Sequence, residues 1–181
     1  MNTYTRPARW FHWLTAGLLV LSFTIGLSMT RVIEDDMKLQ VYAWHEWVGV
    51  TIFAVTLARL FWRLRRPAPP LELPWIERAA ATLVYVAMYC VLLVQPIVGL
   101  MMSAAFGFQV VYLGVLPLPK LVAEDRDLAA RLQDLHFTLA MVLVALFVAH
   151  IGGVLYHHLV LRDGVLRRML PGAHADTGSN R

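Results

Sequence analysis

The chain has 181 residues, of which 59% are hydrophobic and 15% charged, with a mean hydropathy of +0.59. A soluble domain carries nearer 25% charge and could not cover itself with this surface. The net charge of +4 and a pI near 9.6 do not point to nucleic acid, because the basic residues cluster in loops beside apolar runs, as they do in membrane proteins.

A spanning helix needs about 20 mostly apolar residues, and four predicted spans qualify: about Trp10 to Met29, Tyr42 to Trp62, Ala79 to Ala105 and Leu135 to Leu161. Arg6 and Arg9 precede the first span, as in a signal peptide. Its apolar run is longer than the usual core of about 7–15 residues, and no A-x-A-like site follows. The first connection carries Glu34, Asp35 and Asp36. The second, Pro67 to Pro74, is a stiff proline-rich connector flanked by Arg63, Arg65, Arg66 and Arg78. In the third, Leu116 to Pro119 marks a turn, and Glu124 to Asp134 is predicted as a short amphipathic helix on the membrane surface. Arg162, Arg167 and Arg168 follow the fourth span.

The positive-inside rule then places both termini and the proline-rich loop in the cytoplasm and the acidic loops in the periplasm. Trp10, Trp13, Trp44, Trp47, Trp62 and Trp75 lie near span ends, as an aromatic belt does. The expected fold is an all-α, multi-pass integral membrane four-helix bundle with both termini cytoplasmic. It forms one domain over residues 1–172, with a flexible cytoplasmic tail at 173–181. Lipid is its first partner, and no nucleic acid is expected.

Ionisable residues inside spans are costly and usually functional, which draws attention to His12, His45, His136, His150, His157 and His158; His174 lies in the tail and is assigned nothing. His136 and His150 are 14 positions apart on one span. That spacing falls about 40° short of four full turns and separates them by roughly 21 Å along the axis. One helix thus offers one ligand to each of two sites stacked across the bilayer. Other helices supply the second ligands, His45 to His136 and His12 to His150. His157 matches the shallow depth of His12, but His150 has the better phase with His136.

Bis-histidine ligation fills both axial positions of haem iron and favours electron transfer over oxygen binding. No Cys-x-x-Cys-His is present, and the single Cys90 makes no intrachain disulfide, so any haem is held without covalent attachment. Small residues near the ligands, Gly49, Ala149, Gly152 and Gly153, give clearance to a flat ring or simply let helices pack. Arg59, 14 residues after His45, either pairs with a haem propionate or snorkels to the interface with Arg63. His157 or His158 exchanges a proton with a quinone head group, or meets lipid head groups. A haem-free transporter would show polar or broken helices along a path, and these spans carry few polar residues beyond the histidines.

From about Tyr4 to Gly172 the chain resembles the bacterial cytochrome b561 family. The matching pieces are His12-Trp13-Leu14, then His45 with Gly49, then Arg59-Leu60-Phe61-Trp62-Arg63. Further on they are Pro96 with Gly99 and Leu100, then His136, His150, His157-His158, and the run from Arg162-Asp163-Gly164 to Pro171. The resemblance implies two b haems with His12, His45, His136 and His150 as axial ligands, and exchange of electrons with membrane quinone. One branch of the family oxidises superoxide at the periplasmic side and reduces ubiquinone. Other members are haem subunits that take electrons from a partner dehydrogenase or hydrogenase.

Many relatives carry a histidine where this chain has Tyr85, four residues before Tyr89; if that histidine serves the quinone, the site here is built differently. The periplasmic side sets five basic residues (Arg31, Lys38, Lys120, Arg126, Arg131) against eight acidic ones (Glu34, Asp35, Asp36, Glu46, Glu124, Asp125, Asp127, Asp134), a net of −3. That balance opposes the capture of an anion, unless Lys120, Arg126 and Arg131 gather around the periplasmic haem. The expected function is electron transfer from superoxide, through both haems, to ubiquinone near His157, that is, a superoxide oxidase. The alternative is a cytochrome b subunit awaiting a partner redox protein, for which the acidic loops would suit a basic surface.

Overall fold

A computed structural model describes residues 4–31, 37–67 and 73–170. Its frame is four long helices: α1 (Arg6–Arg31), α2 (Met37–Arg65), α3 (Trp75–Ala105) and α4 (Arg126–Leu155). All four are long and apolar enough to cross a membrane. Each runs several residues past its apolar core, because a helix satisfies its own backbone and gains nothing by stopping at the hydrocarbon boundary. α1 packs chiefly on α2, and α3 on α4, with α2 joining the two pairs. Much apolar surface faces outward, including Leu83, Phe137 and Val148, as a lipid-bathed bundle requires.

Two expectations for the third connection are corrected. Residues 126–134 form no separate surface helix; they are the first turns of α4. Asp125 caps that start by accepting the Leu128 N–H at 3.0 Å. Ala129 and Leu132 are buried against Val98 and Ala105 of α3, and no glycine or proline interrupts the run before Gly152. Leu116–Pro117 is likewise a short strand rather than a turn. It is β2 of a two-stranded hairpin with β1 (Val111–Tyr112), and the turn is made by Leu113 and Gly114, both at positive φ. Trp47 holds the hairpin by donating its indole N–H to the Val111 carbonyl at 2.8 Å.

After Leu155 the fourth helix widens into a π turn, Tyr156–Leu161, and a short 3₁₀ helix, Leu166–Met169, follows. This end of the bundle gathers Arg6, Arg63, Arg65, Arg78 and Arg162 and is called the arginine end below; the opposite end is the hairpin end. Trp13 donates to the Met169 carbonyl at 2.9 Å, and Arg9 to the Leu170 carbonyl at 2.8 Å. These bonds strap the segment after α4 back onto α1. The tail expected at 173–181 and the acidic residues at 34–36 lie outside the described residues, as does His174.

A core of Leu19, Ile52, Val91, Leu92 and Leu143 fills the middle of the bundle. Seven-residue steps away from it reach the polar positions. Leu19 lies midway between His12 and Gly26, Ile52 between His45 and Arg59, Leu92 between Tyr85 and Gly99, and Leu143 between His136 and His150. Seven residues are nearly two turns, so one stripe of each helix faces the centre throughout, and each step rises about 10 Å. The bundle interior is therefore three layers: a histidine layer at each end and an apolar layer between.

Candidate functional site

At the hairpin end, α2 presents His45 and α4 presents His136. Their ring centres are 6.3 Å apart and the planes are inclined at 76°. Each ring is backed by a glycine of a third or fourth helix. A Cβ on Gly26 of α1 would lie 3.2 Å from Cε1 and 3.6 Å from Nδ1 of His45, and one on Gly99 of α3 would lie 3.3 Å and 3.6 Å from the same atoms of His136. The backing edge of each ring is thus the one that carries Nδ1. The His45 ring lies beside the Ser22 backbone and the His136 ring beside that of Gln95, four residues before each glycine. Both Nδ1 atoms are buried without a hydrogen bond of normal geometry. Gln95 also donates its side-chain amide to the His136 carbonyl at 2.9 Å. Next to His45, Glu46 accepts the Ser103 hydroxyl at 2.6 Å.

At the arginine end, His12 of α1 and His150 of α4 face one another with ring centres 6.1 Å apart and planes at 66°. Here the backing group is a cation. Arg59 Nη2 is 3.2 Å from His12 Nδ1, and its guanidinium lies 5.4 Å from the centre of the Tyr89 ring. Arg59 therefore turns inward to the histidine layer instead of snorkelling outward. One turn on, Arg63 stacks over Tyr85 at 4.4 Å. A cleft lined by Tyr4, Arg59, Trp62, Arg63, Arg66 and Tyr89 opens beside this layer, and the Tyr89 hydroxyl is buried with no hydrogen bond.

His157 does not join His12. Its Nδ1 is 2.5 Å from Asp163 Oδ2, while Nε2 is 3.9 Å from Glu77 Oε2. Slight burial pushes the Asp163 carboxyl up, but the hydrogen bonds from His157 and the Val165 N–H outweigh it and hold this carboxyl below its ordinary range. His158 is exposed. Lys120 caps the end of α3, donating to the Gly107 carbonyl at 3.2 Å.

The residues fit haem. An imidazole nitrogen binds a first-row metal at about 2 Å, and the ring centre lies roughly 1.1 Å behind it, so two imidazoles on opposite sides of one ion have centres about 6.2 Å apart. Both pairs match that spacing. Among the described residues no group of three metal-ligating side chains is placed to hold an ion, and a porphyrin, which brings four ligands of its own, asks the protein for two. Gly49, Gly152 and Gly153, expected to give clearance, have no neighbour within 4 Å of an added Cβ. The close approaches belong to Gly26 and Gly99. Of these Gly26 was not anticipated, although its 14-residue step from His12 was there to be read.

The sequence profile of the prokaryotic cytochrome b561 family matches residues 3–172. A relative in Escherichia coli K12, cytochrome b561 homolog 2, is 32% identical over 172 residues, covering 93% of this chain and 91% of that protein. Cytochrome b561 homolog 1 of the same organism is 27% identical, covering 94% and 98% of the two chains. A Yersinia pestis protein described as probable superoxide oxidase CybB is 25% identical, covering 88% and 91%. With four spanning helices and a match over nearly its whole length, this chain belongs to the prokaryotic cytochrome b561 family of multi-pass membrane proteins, which bind b-type haem and carry electrons across the membrane.

Proposed function

We propose that the chain holds two b haems, one between His45 and His136 and one between His12 and His150, and that it carries electrons from superoxide at the hairpin end to ubiquinone at the arginine end. The observation behind this reading is the pair of facing imidazoles in each outer layer, at ring separations of 6.3 and 6.1 Å. Haem, when bound, supplies one-electron redox chemistry at each level. The four histidines hold the two levels on one axis. Leu19, Ile52, Leu92 and Leu143 keep the gap between them apolar. Arg59 offers a guanidinium to a propionate of the arginine-end haem, where bidentate pairing suits it. His157 exchanges a proton with the quinone as it is reduced.

On this reading the arginine end is cytoplasmic, by the excess of arginine in its loops, and the membrane is the bacterial inner membrane. The domain is residues 1–172, with 173–181 a tail. Two superoxide anions give two electrons and leave as dioxygen; one quinone takes those electrons and two protons. The Yersinia relative supports superoxide as donor. The second reading is a cytochrome b subunit served by a partner dehydrogenase or hydrogenase. Its support is the net −3 summed over the residues at the hairpin end, which suits a basic partner better than an anion, and a hairpin tip where Val115 is 80% exposed.

The test is a reduced-minus-oxidised visible spectrum of the purified protein with haem counted per chain, followed by anaerobic addition of superoxide to the oxidised form. Two b haems reduced at once by superoxide are expected. Two haems that ignore superoxide but respond to quinol would select the subunit reading, and a chain that purifies without haem would sink both.

A further inference from the structure

The corner where α4 ends brings together groups that haem ligation does not use. His157 follows His150 by seven residues, which places it on the same face of the helix and about 10 Å nearer the arginine-end surface. There the helix widens into the π turn, a distortion frequent at functional sites. Arg162 then takes a left-handed conformation, φ 53, and the chain reverses. The reversal lays Asp163 against the ring, with Oδ2 2.5 Å from Nδ1, while Asp163 Oδ1 accepts the Val165 N–H at 3.1 Å. Across the ring stands Glu77, from the first turn of α3. Its Oε2 is buried with no hydrogen bond, 3.9 Å from His157 Nε2.

The exposures give the arrangement a direction. The imidazole keeps 13% of its surface, against 29% for Asp163 and 35% for Glu77, so a nearly enclosed ring lies between two carboxylates that reach water. A carboxylate at Nδ1 keeps a proton on that nitrogen and leaves Nε2 as the exchanging atom. At 3.9 Å, Nε2 and Glu77 Oε2 are too far apart for a direct hydrogen bond. Both nonetheless face the space between them, where an oxygen can accept from Nε2–H and from the Glu77 carboxyl in its protonated form. The groups facing His157 are Asp163 from the following loop, Glu77 from α3 and, on its own helix, the ring of Tyr156.

We propose that Asp163, His157 and Glu77 form a proton relay for a quinone reduced at the arginine end, with a quinone oxygen taken up between His157 Nε2 and Glu77. In each transfer an O–H bond forms on the quinone oxygen as the Nε2–H bond breaks. Water restores the Nε2 proton by way of Glu77, and the quinone's second oxygen takes its own proton from water, so that two protons accompany the two electrons. Asp163 is a positioning residue; His157 and Glu77 touch the substrate. The relay rests on the reading of quinone as the electron acceptor.

The test uses the full-length haem-loaded protein, reduced with dithionite and mixed in a stopped-flow cell with a short-chain ubiquinone or with ferricyanide, which takes an electron and no proton. Asp163→Asn and Glu77→Gln are each expected to slow oxidation by the quinone about tenfold or more and to change its pH profile. The ferricyanide rate and haem spectrum stay as in the wild type, and Asp163→Glu restores the quinone rate. Should one variant fail to hold haem, the other, on a different element, decides. Quinone rates and pH profiles unchanged in both variants would overturn the relay. A wild type oxidised by ferricyanide but not by quinone would overturn the acceptor beneath it, and the two failures are distinguishable.

Discussion

The two histidine layers come from the same four helices, yet what stands behind the rings differs in kind. At the hairpin end, glycines let the Nδ1 edges of His45 and His136 press against backbone, beside Ser22 and Gln95. At the arginine end a half-buried guanidinium reaches to 3.2 Å from His12. A backbone carbonyl behind a ligating imidazole makes the ligand more electron-rich, whereas a nearby cation favours the reduced, less positive state of the site. On the proposed ligation, both influences would make the arginine end the better electron acceptor and favour transfer from hairpin to arginines.

The largest change expected is the loss of one level alone. His45→Ala or His136→Ala should lower the haem count from about two per chain to about one, with the arginine-end spectrum kept, and either variant that retained both would break the pairing. Next comes the glycine backing. A Cβ at Gly99 already meets His136 at 3.3 Å, so Gly99→Val should displace the ring and bleach or shift only the hairpin-end haem in the low-temperature spectrum.

A smaller effect sharpens the comparison. A unit charge roughly 8 Å from the metal, at an effective dielectric near 20, is worth about 2 kcal/mol, or somewhat under 100 mV. Arg59→Gln should therefore lower the arginine-end midpoint potential by tens of millivolts in a redox titration and leave the other midpoint alone. Equal shifts at both levels would dissolve the contrast. Smallest is a local effect of acid. The folded-state pKa of Asp163 is lowered, so its bonds to His157 and Val165 are at full strength at neutral pH and are lost as pH falls through that depressed value. Amide exchange at Val165 should quicken over that acid range and not before it.

The spans and the histidines were legible because each rests on a strong one-dimensional signal: apolar length for the spans, and a 14-residue step on one helix for His136 and His150. The start of α4 was not, because residues 126–134 look amphipathic by themselves. Only the packing of Ala129 and Leu132 against the end of α3 shows that the helix runs on. Gly26 and Gly99 act on rings of other helices, so nothing in their own neighbourhood announces them. The 14-residue steps from His12 to Gly26 and from His45 to Arg59 were readable, and they gain meaning once Leu19 and Ile52 are seen at their midpoints. The π turn leaves no pattern of its own in the sequence, so the meeting of His157, Asp163 and Glu77 required the fold.

The apolar layer of Leu19, Ile52, Leu92 and Leu143 also has an electrical consequence: it makes the molecule a small capacitor. The histidine levels are about 21 Å apart in a hydrocarbon core of about 30 Å, so an electron that crosses between them traverses roughly two thirds of the membrane's field. Driving it toward a face held 100 mV negative costs about 1.6 kcal/mol. On the two-haem reading, transfer through this bundle would be electrogenic, and its rate would feel the energised state of the membrane around it.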